Sequence, residues 1–150
     1  MKPLLIIASL VGIDQLVKRL VVIYLKNSPP LQITPFLSLT YLENRGAAFG
    51  ILQGARWFFV IITLIILAVL FKTYKNTSDK YMKLSIILIA AGGLGNFTDR
   101  LLFGFVIDYI RLTFVNFPVF NFADMLITTG AVIFGITGIF AEEKPSGDKT

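Results

Sequence analysis

Apolar residues fall along this chain in four long blocks, at residues 4–25, 57–71, 84–102 and 124–140, separated by shorter polar or alternating segments. A helix rises about 1.5 Å per residue and a bilayer core is roughly 30 Å thick, so each block predicts a membrane-spanning helix. The second block is short as it stands. Trp57 and Tyr74 suit the interfaces and Lys72 can snorkel toward water, which extends it to 56–74. The fourth extends to 122–140. The expected fold class is an all-α membrane protein with four transmembrane helices, forming a single integral membrane domain over residues 1–150. Residues 1–25 open like a secretory signal, but Asp14, Lys18 and Arg19 interrupt the apolar run and no small-x-small cleavage site follows. A retained first span is expected.

Two connecting segments are more than linkers. Residues 31–42 (LQITPFLSLTYL) alternate weakly and are rich in β-formers, and residues 105–110 (FVIDYI) read similarly. They predict a small extracytoplasmic β-sheet. Residues 46–52 (GAAFGIL) are short and apolar, consistent with a short surface helix, and Gly46, Gly50 and Gly54 permit backbone motion there. Residues 142–150 are polar and contain Pro145 and Gly147, so a disordered cytoplasmic tail is expected.

Charge refines this picture. The chain is 55% hydrophobic and 15% charged, with a net charge of +5. Its basic residues stand singly between apolar runs, which argues against nucleic acid as a partner and for membrane lipids. Lys2, Lys72, Lys75, Lys80, Lys83, Lys144 and Lys149 fall on one side of the predicted topology, against Lys26, Arg45, Arg56 and Arg111 on the other. The basic excess places both termini in the cytoplasm. Cysteine and histidine are absent, which removes thiolate and imidazole chemistry, so acid–base work must fall to carboxylates or lysine.

Three groups of polar residues lie where charge is expensive. Asp14 and Lys18 are spaced i, i+4 in the first span, where an isolated charge costs roughly 2.5–3.5 kcal/mol at the bilayer centre. The plainer reading is an intrahelical ion pair that anchors its surroundings. In AGGLGNFTDR, Gly92, Gly93 and Gly95 permit close helix approach, and Asn96, Asp99 and Arg100 follow. Here a structural pair of Asp99 with Arg100 competes with a supporting role for Asn96. The third group is Asp108, in a predicted outer strand, with Asp124 in FNFAD. A turn around residues 116–118 would let these two carboxylates meet. Asn121 suits an N-cap and Asp124 then stands at N3, so a capping box is the plainer account of Asp124 alone. As a facing pair, the two would hold one proton and one negative charge between them, the state that activates water against a peptide bond. The helix dipole favours Asp124 as base and Asp108 as acid.

The blocks DQLVK at 14–18, ENRGAAFG at 43–50, GLGNFTDR at 93–100, GFVIDYI at 104–110 and FNFAD at 120–124 occur in this order over nearly the whole chain. In them the chain resembles the bacterial lipoprotein signal peptidases, or signal peptidase II. The resemblance implies an aspartic peptidase with Asp108 and Asp124 as catalytic pair. It implies that Asn44, Gly46, Asn96, Arg100 and Asn121 line or brace the site, with Asp14 and Lys18 as nearby supports. It further implies a diacylglyceryl-modified prolipoprotein as substrate, cut on the amino side of the lipidated cysteine near the outer leaflet of the cytoplasmic membrane. Neither a metal nor a cofactor is required, and a monomer is expected. Two positions depart from the common pattern: Tyr109 stands where phenylalanine is common, and Met125 where serine is frequent.

Two other classes compete. A magnesium-dependent lipid phosphotransferase would use Asp and Asn as hard-cation ligands and would stop with chelator. A small transporter or channel component would line its path with Asp14 and Lys18, although no internal repeat is present.

Overall fold

The computed structural model describes residues 2–47 and 51–142. Among the described residues there are four helices, α1 (Lys2–Leu25), α2 (Arg56–Asn76), α3 (Lys80–Phe103) and α4 (Phe122–Glu142), and three strands, β1 (Leu31–Thr34), β2 (Leu37–Asn44) and β3 (Val106–Leu112). Three helices, α2, α3 and α4, are long and apolar enough to cross a membrane. α1 has 24 residues, but Asp14, Lys18 and Arg19 lie within it. Part of the segment expected as a surface helix, 48–50, lies outside the described residues. On either side of it the chain is drawn into a closed turn, with the Ala47 N–H donating to Ile51 O and the Gly54 N–H to Arg45 O. The tail at 143–150 also lies outside the described residues.

α3 is the centre of the bundle, packed against α1, α2 and α4. Glycine makes its tightest contact possible. A Cβ at Gly92 would collide with the Ala123 carbonyl oxygen, and one at Gly95 would lie 2.6 Å from Asp14 Oδ2 and 3.2 Å from Ala123 Cβ. Gly130 completes the crossing from α4, where a Cβ would come within 2.8 Å of Ser85 O. Gly93 faces Thr63 at an ordinary 3.9 Å, so of the three expected packing glycines Gly92 and Gly95 are in tight contact and Gly93 is not. The close approach brings the start of α4 against the polar stretch of α3 that follows Gly95.

The sheet is antiparallel in the order β1-β2-β3. α3 ends at Gly104, whose left-handed φ of 83° turns the chain and whose N–H donates to Arg100 O. β3 then runs back along β2, pairing Asp108 with Leu42 and Val106 with Asn44. Asn44 is thereby the diagonal neighbour of Asp108 on one face of the ladder. The other side of β3 rests on α1, where Ile107 and Tyr109 pack with Val21. Covered on both faces, residues 106–109 are all buried. β3 returns to α4 through the Ile110 and Phe120 bridge, which sets the entrance of α4 beside the strand that carries Asp108.

Because Gly92 and Gly95 meet backbone and a charged side chain, Gly92→Ala and Gly95→Ala are each expected to cost about 1–3 kcal/mol through overpacking. Gly93→Ala is expected to be close to neutral. Thermal unfolding of the purified variants in detergent checks the contrast.

Candidate active site

The start of α4 is capped by its own sequence. Asn121 Oδ1 accepts the Asp124 N–H at 2.9 Å, and Asp124 Oδ2 accepts the Asn121 N–H at 3.1 Å. This reciprocal pair is the capping box that the FNFAD spacing predicts. The two remaining amides of the first turn reach farther. The Phe122 N–H donates to the Tyr109 hydroxyl at 3.2 Å and the Ala123 N–H to Asp14 Oδ1 at 3.1 Å. Asp14 therefore does more than pair with Lys18. Its carboxylate sits on the positive end of the α4 dipole.

Lys18 is 1% exposed and Asp14 and Asp99 are fully buried. Lys18 Nζ lies 2.9 Å from Asp14 Oδ2 and 2.9 Å from Asp99 Oδ2, and donates to Asn96 Oδ1 at 3.0 Å. Of the two competing readings of this stretch, the Asp99 and Arg100 pair is replaced by Asp99 on Lys18, with Asn96 on the same lysine. Consecutive residues on a helix point about 100° apart, so Asp99 enters the bundle toward Lys18 while Arg100 turns to the cavity mouth. There Arg100 donates to Gly46 O at 3.1 Å and lies 4.6 Å from the Phe59 ring centroid. Asp99 also accepts from Gln15 Nε2 at 2.9 Å and from the Ile107 N–H at 3.1 Å, fixing the start of β3. The sequence reading gave Gln15 no role, although it lies directly beside Asp14.

The amides have fixed orientations because Lys18 can only donate. Asn96 must offer its oxygen to Lys18, and its NH2 then faces Asp124, donating to Oδ1 at 2.7 Å. Asn121 donates to Asp108 Oδ1 at 2.6 Å and to Asn96 Oδ1 at 3.2 Å. Asn44 donates to Asp108 Oδ2 at 2.8 Å and accepts the Gly46 N–H at 3.0 Å. A continuous chain of donors thus runs from a buried cation to both candidate carboxylates.

Asp108 and Asp124 open on one cavity of about 300 Å³. Asn44, Asn96 and Arg100 complete its polar end, while Val106, Phe117, Pro118 and Ile127 form an apolar flank. Burial and then the negative charge of Asp124 push the Asp108 carboxyl up to about 7, against the pull of the Asn44 and Asn121 hydrogen bonds. Burial and the Asp124 charge both favour the protonated, acid form of Asp108. The arrangement offers two carboxyls in unlike surroundings on one cavity with a polar end and an apolar side. Phe117 and Pro118 entered the sequence reading only as part of a turn and Ile127 not at all, because apolar residues carry no chemical signal until the fold brings them to a site.

A family model described as signal peptidase (SPase) II matches residues 6–140. The lipoprotein signal peptidase of Streptococcus thermophilus is 44% identical over 143 residues, covering 93% of this chain and 93% of that one. The lipoprotein signal peptidase of Lactiplantibacillus plantarum is 42% identical over 142 residues, covering 93% and 95%. A bacterial membrane enzyme solved by the in meso method at 2.3 Å is similar with a TM-score of 0.90 at 34% identity, over 99% of this chain and 94% of the other. Another, solved at 1.9 Å, has a TM-score of 0.82 at 37% identity over 97% and 94%.

Removing the buried cation leaves Asp14 and Asp99 facing each other without a counter-charge. Lys18→Met is expected to cost about 3–5 kcal/mol, read as a lowered Tm and poor recovery of folded protein in detergent. An unchanged Tm would show that the cluster does not hold the bundle together.

Proposed function

The chain belongs to the signal peptidase II family, and from that premise we propose that it is a single-domain aspartic peptidase of the cytoplasmic membrane. Its substrate is a prolipoprotein whose signal peptide is removed on the amino side of a diacylglyceryl-modified cysteine. The observation that carries this reading is the pair Asp108 and Asp124 on one cavity, with the Asn96 and Asn121 amides beside them oriented by one buried lysine. In this reading α1 is a fourth span, with Asp14 and Lys18 satisfied inside the bundle rather than facing lipid. Both termini are cytoplasmic, and the site opens near the outer leaflet, where the two acyl chains hold the cleavage point. The apolar flank at Val106, Phe117 and Ile127 suits the substrate segment next to the lipidated cysteine.

The steps balance on the two carboxyls. Asp124, as carboxylate, takes a proton from water as the oxygen attacks the scissile carbonyl carbon. Asp108, as acid, hydrogen-bonds the carbonyl oxygen and passes its proton to it, giving a neutral tetrahedral diol. Asp124 then returns its proton to the amide nitrogen while Asp108 recovers one from a diol hydroxyl. The C–N bond breaks, leaving a carboxylic acid on the signal peptide and a free amine on the lipidated cysteine. Asn44 and Asn121 hold the acid in register through their bonds to Asp108, and Arg100 steadies Gly46, whose N–H Asn44 accepts. Asn96 likewise holds Asp124.

Asp108→Asn and Asp124→Asn are each expected to lower kcat by about 10²–10⁴-fold, the range of a general acid or base, with KM nearly unchanged. Cleavage of a lipidated precursor in detergent, with chelator present throughout, is the measurement. Wild-type activity that vanishes with chelator would favour a magnesium-dependent reaction, and retained flux in liposomes after both substitutions would favour a transporter.

The acid form of Asp108 is lost as pH rises through about 7, so kcat should fall on the alkaline side near that pH. The Asn44 hydrogen bond favours the ionised form, and removing it raises the carboxyl further. Asn44→Ala should therefore move the alkaline limb to higher pH, which a kcat–pH profile reads. Movement to lower pH would reject Asp108 as the group responsible.

A further inference from the structure

A second cavity, of about 430 Å³, has no part in the reaction above. It lies between the first turns of α1, the last turns of α2 and the first half of α3, walled by Leu4, Ile7, Leu67, Leu70, Ile87 and Leu94. Along α3 it runs from Ile86 to Leu94, about 12 Å at roughly 1.5 Å per residue. The chemistry changes at one end. Tyr74 and Lys75 line the mouth, and Lys75 Nζ lies 4.6 Å from the Phe71 ring centroid while Lys83 Nζ lies 5.5 Å from that of Tyr74. Both rings belong to the cavity wall, so two ammonium groups crown an apolar slot. Among the described residues neither lysine has a carboxylate within ion-pair distance. The neighbouring acid, Asp79, is committed to the Tyr81 and Met82 amides at the start of α3.

An apolar slot with cations at its mouth, set where a helix bundle meets water, suits a hydrocarbon chain with an anionic head. We propose that this groove binds an anionic phospholipid of the leaflet facing the chain termini, its phosphate held by Lys75 and Lys83 and one acyl chain lying along residues 86–94 of α3. This rests on the membrane-spanning reading of the bundle but not on the peptidase chemistry. A signal peptide is a poorer occupant, because its basic amino-terminal region would meet the two lysines with like charge. Zwitterionic lipids fill the slot with the same tails and lose the net attraction at the head, so the selectivity resides in the lysines.

The full chain, purified in detergent and exposed to equal amounts of phosphatidylglycerol and phosphatidylcholine, is read by native mass spectrometry. The wild type is expected to retain phosphatidylglycerol with about tenfold preference. Lys75→Ala with Lys83→Ala should abolish that preference. Lys72→Ala with Lys80→Ala, which removes the same charge from the same end but outside the groove lining, should keep it. Ile87→Trp, which fills the slot, should reduce retention of both lipids. Equal loss in the two double variants would reduce the effect to general surface charge and overturn the site, as would undiminished preference in Lys75→Ala with Lys83→Ala. Peptidase activity measured on the same samples separates the two readings. Catalysis without lipid preference rejects the groove alone, and lipid preference in a chain that cleaves no precursor rejects the peptidase alone.

Discussion

The arrangement depends on one buried ammonium group. Lys18 lies between Asp14 and Asp99 at 2.9 Å from each, in a bundle whose outer surface is apolar. Two anions with one cation would be costly in such a medium, and the remaining lone pairs are satisfied by Gln15 and by the Ala123 and Ile107 amides. The donors come from α1, α4 and β3, and the acceptors from α1 and α3. A single polar cluster therefore ties three helices and the sheet together at the point where the helices give way to the sheet. It also sets the direction of the Asn96 amide, and through the shared Asn96 oxygen that of Asn121, because an ammonium cannot accept.

What surrounds that cluster divides the labour. α3 supplies both its glycine face, against which α4 closes, and the polar side chains that follow. The sheet brings Asp108 in from above on a strand buried on both faces, whose position is fixed by Asp99 at one end and by the Phe120 bridge at the other. α2 stands at the edge, with Phe58, Ile61, Leu64 and Ile65 exposed, and reaches the candidate site chiefly through Phe59 beneath Arg100. Precision belongs to the α1, α3, α4 and β3 junction, and the periphery is left free to meet lipid.

Much of this could be read along the chain because the signals are local. The helix positions follow from apolar block length, the sheet from alternation, and the α4 cap from the three-residue step between Asn121 and Asp124. The pair of Lys18 with Asp14 follows from their i, i+4 spacing and is present, but the second partner of Lys18 could not be read in the same way. Asp99 is adjacent in sequence to Arg100 and distant from Lys18, and only the angular step between helix neighbours sends the two apart. Gly93 looks equivalent to Gly92 and Gly95 on paper, yet it faces Thr63 rather than α4, since three glycines in four positions cannot share one contact line. Tyr109 looked like a mere departure from a common phenylalanine. Its hydroxyl takes up the Phe122 amide, a long-range contact that no window of neighbouring residues contains.

The complete engagement of the first turn of α4 shapes what leaves the site as well as what enters it. With its amides held by Tyr109, Asp14 and Asn121, this helix end has no bare donor to grip a newly made carboxylate. In the proposed reaction such a group forms beside Asp124, which has just returned its proton, and the two like charges favour departure of the severed peptide.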